Sequence, residues 1–381
     1  MRIVVAPDSF KGSVSALGVA NAMEKGILTV FPEAEVLKVP IADGGEGTVE
    51  ALVDATGGQM IYEDVMGPLG ERVKAYWGIL GDNETAVMEM AAASGLPLVP
   101  KDKRDPRITT TYGTGELIKS ALDKGIRKII IGIGGSATND GGMGMARALG
   151  VLFLDAEGNE LPHGGAALAK LAEIDMENID PRLNETEIMV ACDVDNPLCG
   201  PRGASAVYGP QKGATPEMVT ELDRALCVYA EIAAKVTGKD LINYPGAGAA
   251  GGLGAGLLFF TNAELRPGVE IVLETLGVST LVEGCDLVIT GEGRTDFQTA
   301  YGKAPVGLAK VAKLWNIPVI CIAGGLGKGA DDVLAQGVDG LASTVPHPMT
   351  LEECMEAGDG MIEDATARVC RMVKVGMSMN K

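Results

Sequence analysis

Eight residues, IADGGEGT from Ile41 to Thr48, set two carboxylates, Asp43 and Glu46, among three glycines and a threonine. Glycine adopts positive φ and lets a ligand approach the main chain, so loops of this make-up cradle anions with amide N–H groups. An anion beside Asp43 and Glu46 is repelled unless a cation lies between them, as in a phosphate held through Mg²⁺. The same stretch, taken alone, also suits a strand-to-helix turn with an acidic first helical turn. It is not alone. PDSFKGS (7–13), GGSATNDGG (134–142), GEGRTDFQ (291–298) and GGLGKG (324–329) repeat its texture. Across these and the segment ACDVDNPLCGPRGASAVYGPQKGAT (191–215) lie Asp8, Asp43, Glu46, Asp140, Asp193, Asp195, Glu292 and Asp296, with the cations Lys11, Lys212, Arg294 and Lys303. Each carboxylate could cap a helix or form a turn. Together they match phosphoryl transfer, which needs cations on the moving group, a metal on its oxygens and a carboxylate that orients the attacking hydroxyl.

Composition narrows the alternatives. The formal charge of −19 disfavours nucleic acid and anionic membranes as partners, because both demand a basic face. A small anionic ligand is still admissible where local cations and amides meet it. No apolar run approaches the length of a membrane span, and MRIVVAPDSFKGS is too short and too soon polar for a signal peptide, so the expected location is the cytoplasm. Seven cysteines without a Cys-x-x-Cys pair point to reduced thiols rather than a disulfide framework or a zinc site. The two histidines, His163 and His347, both sit beside proline, which makes serine–histidine hydrolysis and histidine-ligated zinc poor expectations. None of the glycine loops is a Walker P-loop, and a dinucleotide fingerprint with its acidic ribose partner is missing.

Elements must carry these loops to one place. The runs at 2–7, 34–40, 128–135, 286–293, 317–325 and 339–346 are almost continuously apolar, the pattern of parallel strands covered on both faces. Helical periodicity follows or precedes most of them, so the expected fold is α/β with βαβ units. In an open parallel sheet the carboxyl ends of the strands share one edge, and five of the loops follow such strands. Turn signals at Gly67-Pro68 and Gly81-Asp82-Asn83 predict antiparallel strands within 61–107, and VLFLDAEGNELP predicts a hairpin. A chain of 381 residues exceeds the usual single core. The expected organisation is a discontinuous main α/β domain (1–60, 108–145 and 281–381) with inserted material (61–107 and 146–280) forming a second domain.

The motifs APDSFKGS (6–13), ADGGEGT (42–48), MAAASGL (90–96), GTGELI (113–118), GIGGSATNDGGMGMARALG (132–150), ACDVDNPLCG (191–200), GPQKGAT (209–215), GAGAAGGLGAG (246–256) and ITGEGRTDFQT (289–299), in this order along the chain, resemble the bacterial glycerate kinase family of the first type. The resemblance implies an ATP-dependent, Mg²⁺-using kinase of D-glycerate that forms 2-phosphoglycerate, with a Rossmann-like domain and a smaller inserted α/β domain flanking an active-site cleft; a monomer or homodimer is expected. A kinase forming 3-phosphoglycerate, a non-catalytic sugar-acid binding protein and an NAD-dependent oxidoreductase are the alternatives. Phe297 and Tyr301 stand where many relatives carry a small polar residue and a histidine. Glycerate is a small carboxylate with adjacent hydroxyls. Asp8, Ser9, Lys11, Ser136, Asn196 and Arg294 are the expected substrate ligands, with Asp193 or Asp296 positioning the hydroxyl and Lys11 and Arg294 assisting catalysis. Gly44, Gly45, Gly134, Gly135, Ser136, Thr138, Gly141, Gly142, Gly291, Gly293 and Lys303 are expected at the ATP phosphates, and Asp43, Glu46 and Glu292 at the metal.

Overall fold

The computed structural model describes residues 1–379. The chain folds into two compact units, one made of Met1–Asp43, Glu50–Gly57 and the residues from Val269 onward, the other of Gly44–Val49 and Gly58–Gly268.

In the first unit five parallel strands run in the order Gly340–Ser343, Val319–Ala323, Leu287–Thr290, Arg2–Val5, Glu35–Lys38. Ile3 stands opposite Leu287 on one side and Val36 on the other. Ile3, Val4, Val5, Val288 and Ile289 are wholly buried, as a strand covered on both faces requires. The helix Ala16–Val30 starts where Ser15 accepts the amide of Gly18, and it packs its Val19, Met23 and Ile27 against the closing helix Gly358–Met379 through Ile362 and Cys370.

The second unit has a six-stranded sheet. Ala263–Arg266, Glu187–Ala191, Lys128–Gly132 and Thr85–Glu89 are parallel neighbours, and Arg72–Ile79 and Gln59–Met66 continue it antiparallel. The antiparallel strands expected within 61–107 are therefore present. So is the expected hairpin, in which Leu161 N–H donates to the Phe153 carbonyl and Asp155 N–H to that of Asn159. On one flank Phe153, Tyr229, Phe259 and Phe260 form an aromatic cluster, with Tyr229 and Phe259 edge to face at 5.7 Å.

Two expectations are corrected. Residues 108–145 do not join the first sheet, because Ile129, Ile130 and Ile131 stand between the strands Thr85–Glu89 and Glu187–Ala191 of the second. Continuous apolarity reports burial on both faces and says nothing of which sheet does the burying. The inserted unit is also the larger of the two.

Candidate functional site

All five strands of the first unit end at one cavity of ≈ 660 Å³. Asp8 and Ser9 follow the strand Arg2–Val5, Asp43 follows Glu35–Lys38, Glu292 and Arg294 follow Leu287–Thr290, Gly324 and Gly325 follow Val319–Ala323, and Thr344 follows Gly340–Ser343. This is the carboxyl edge where open parallel sheets bind ligands. Main-chain bonds hold the loops in register. The Asp8 amide donates to Gly291 and that of Gly324 to Glu292, while Phe10 and Val14 exchange bonds across a tight turn that presents Lys11. Lys303 also lines the cavity and immediately precedes the helix Ala304–Leu314.

Three carboxylates and three cations thus share this cavity. Burial, then the nearby charge of Asp43, pushes the Asp8 carboxyl up to about 7, while the Ser9 amide at 2.6 Å and the Lys11 ammonium pull it back. Burial also raises Glu292, against the pull of Thr299 and Thr295, whose hydroxyls donate to its Oε1 at 2.6 and 2.9 Å. Lys11 and Arg294 are exposed, so their charges reach whatever enters.

The glycine loops of the second unit behave differently. Asp140 is fully buried and accepts the amides of Thr111, Gly142 and Gly144 and the hydroxyl of Thr111. Burial raises its pKa against those donors. Lys212, 1% exposed, donates to Ser136 Oγ at 2.7 Å and to the Thr138 carbonyl at 2.6 Å, and burial pushes its pKa down to about 7. Glu89, 4% exposed, accepts the amides of Gly47, Thr48 and Val49 at the start of the helix Thr48–Thr56. The IADGGEGT loop does cradle an anion, and that anion is the protein's own Glu89.

Several expected ligands are corrected by this. The amide of Gly141 already donates to the Gly251 carbonyl and that of Gly142 to Asp140, so neither is available to a phosphate. Both glycines have positive φ, and a Cβ on Gly141 would lie 2.7 Å from the Tyr229 ring, so close packing explains them. Asn196 donates to the Arg202 carbonyl and accepts from Tyr208, which makes it a brace for its own loop. Gly134 and Gly135 are exposed, Ser136 is 7% exposed and Thr138 Oγ1 is buried without a hydrogen-bond partner. Gly44 and Gly45 precede the amides held by Glu89. Asp193 is exposed at a strand end, where its Oδ1 accepts the Gly268 amide, and Asp195 forms a surface pair with Arg202. In the first unit Gly291 accepts the Asp8 amide, and Gly293 lines the cavity. Asp296 accepts the Gln298 amide and pairs with Arg294 at 3.4 Å without lining the cavity.

Comparison with known proteins supplies the family. The profile of the glycerate kinase family matches residues 3–374. The chain belongs to that family. A glycerate kinase of Bacillus subtilis (strain 168) is 53% identical over 379 residues, covering 100% of this chain and 99% of the relative. A glycerate 2-kinase of Escherichia coli (strain K12) is 52% identical over 377 residues, covering 99% of each. A crystal structure from Salmonella typhimurium LT2, which carries the provisional name glycerate kinase 2, superposes with a TM-score of 0.93 at 51% identity and 99% coverage of both chains. The glycerate kinase fold is thus the mixed α/β arrangement with parallel sheets described above.

For a glycerate kinase the donor set bears on Mg²⁺. Among the described residues no group of three His, Cys, Asp or Glu converges on one point. Mg²⁺ does not need such a cage, since one or two carboxylates with phosphate oxygens and water complete its octahedron. Asp43 and Glu292, on one cavity, fit that chemistry. Glu46 does not line it; this exposed side chain belongs to the second unit and raises the pKa of Glu89 there. Phe297 and Tyr301, expected from the resemblance to differ from many relatives, are 52% and 86% exposed and also lie outside the cavity lining. No helix among the described residues is long and apolar enough to cross a membrane.

Proposed function

We propose that this protein transfers the γ-phosphoryl group of ATP to the 2-hydroxyl of D-glycerate, giving 2-phosphoglycerate and ADP. Membership of the glycerate kinase family supports the acceptor, and the Escherichia coli relative named glycerate 2-kinase supports the position. The observation that carries the chemistry is the gathering of Asp8, Asp43 and Glu292 with Lys11, Arg294 and Lys303 around one cavity. In this reading Lys11, Arg294 and Lys303 offset the charge of the phosphoryl oxygens and of the acceptor's carboxylate, and the Ser9 hydroxyl adds a neutral donor. Asp8 orients the hydroxyl and takes its proton as the new oxygen–phosphorus bond forms and the bond to the β-phosphate oxygen breaks. Asp43 and Glu292 would hold Mg²⁺, which supplies charge neutralisation at the phosphate oxygens.

The test is turnover with MgATP and D-glycerate, followed by ADP release, with the acid product identified by ³¹P NMR. 2-Phosphoglycerate is the expected product, 3-phosphoglycerate would move the position, and the absence of any phosphorylated acid would overturn the assignment. Asp8→Asn, Asp193→Asn and Asp296→Asn then rank the carboxylates. Loss at Asp193 or Asp296 with Asp8→Asn spared would transfer the proton-accepting role.

A further inference from the structure

The lining of the first unit's cavity is of two kinds. Asp8, Lys11 and their charged neighbours supply one; Val345, Met349, Leu351, Cys354, Met355 and Met361 supply an apolar wall. Those six come from one continuous stretch after the last strand, which includes the short helix Leu351–Glu356 that begins in the Thr350–Glu353 capping box. Glycerate bears an oxygen on every carbon and has no apolar face to lay against such a wall. A cavity of ≈ 660 Å³ lies within the roughly 300–1,000 Å³ of pockets for drug-sized ligands, far more than a three-carbon acid fills.

Resting on the phosphoryl-transfer reading above, we propose that this apolar wall holds the nucleoside of ATP, with the triphosphate directed to Lys11, Arg294 and Lys303, so that the first unit is the nucleotide-binding unit. Two features of the wall suit a flat heteroaromatic base. Three of its side chains are methionines, which are unbranched, adapt to an irregular surface and make favourable sulfur–aromatic contacts. Leu351 and Met355 leave 71% and 37% of their surface in water, apolar area that a base laid across them would cover. The chemistry of the lining divides in the same way: the six wall residues carry no charge, and the cavity's cations Lys11, Arg294 and Lys303 come from other segments and suit a polyphosphate.

Cys354, half-buried in the wall with a free thiol, provides a readout independent of turnover. In the full-length protein, N-ethylmaleimide labelling of each cysteine is followed by mass spectrometry, with the non-hydrolysable analogue AMP-PNP and Mg²⁺, with D-glycerate alone, and with neither. The proposal expects AMP-PNP to slow labelling of Cys354 about tenfold or more and glycerate to leave it unchanged. Unchanged labelling with AMP-PNP, or protection by glycerate alone, overturns it. In parallel, Met355→Glu should raise KM for ATP about tenfold, with KM for glycerate within about twofold; the reverse split also overturns the proposal. If the protein proves inactive on glycerate, the function reading fails by itself, and protection of Cys354 by AMP-PNP still decides the nucleoside site.

Discussion

Asp8, Asp43 and Glu292 in the first unit face a cavity, whereas Asp140 and Glu89 in the second are enclosed by donors of their own chain. All five stand in or beside glycine-bearing loops at strand ends. The difference lies in what meets each carboxylate. Three amides converge on Asp140 and three on Glu89, so those charges are neutralised internally and brace the loops. Around Asp8 the Ser9 amide is bonded to the carboxylate, and Asp43 and Glu292 add repulsion that a cationic or hydrogen-bonding ligand would relieve. Exposed glycine and negative charge therefore mark two different devices, an internal clamp and an open receptor.

If that contrast holds, damage to the clamp should appear in stability and damage to the receptor in turnover. The largest effect is expected from Asp140→Ala, which strands the Thr111, Gly142 and Gly144 amides and removes the counter-charge of Lys212; urea unfolding should show a loss of about 3–5 kcal/mol. Asp8→Asn should lower kcat about a hundredfold while the midpoint of unfolding stays within a few degrees of wild type, measured by steady-state kinetics and calorimetry. Loss of stability without loss of turnover at Asp8 would break the comparison. Glu89→Gln keeps the shape but removes the charge from the helix start and should cost about 1–2 kcal/mol, with KM for both substrates unchanged in steady-state kinetics.

A pH-dependent effect sharpens the clamp side. Lys212 titrates near 7 in the folded protein and near 10.5 when unfolded, so between those values the unfolded chain binds a proton that the folded one releases. Stability of the wild type should therefore rise with pH across that window, whereas Lys212→Met lacks this contribution. The wild-type advantage over Lys212→Met, read from urea midpoints, should grow from pH 7 to pH 9.5 by about 1 kcal/mol per pH unit. A constant difference would mean that Lys212 keeps its proton in the folded state.

Much of the fold was legible because buried strands announce themselves: RIVV, LVIT and VICIA are covered on both faces as their apolarity requires. The sheet to which KIIIG belongs was not legible, because partner choice rests on long-range pairing with residues near 87 and 189. At the site, the loops after the strands were readable as chemistry, and Asp8, Ser9, Lys11, Asp43, Glu292, Gly293, Arg294 and Lys303 do line one cavity. Gly141 and Gly142 were misread, since an amide offered to a ligand and one bonded at home have the same sequence. Glu89 had a signal that went unused. A lone glutamate inside the apolar run TAVMEMAA must find donors if it is to be buried, and it found them at a helix start. The methionine-rich wall was hidden for the opposite reason, because apolar residues at helical spacing look like core whether they pack inside or line a cavity.

The helix Thr48–Thr56 begins with its N-terminal partial charge already answered from within. Inorganic phosphate or sulfate added in excess finds no vacant seat there, and competitive inhibition by either anion should instead track substitutions at Lys11 and Arg294. A glutamate that plugs a helix end thus also narrows the places where product-like anions can poison the protein.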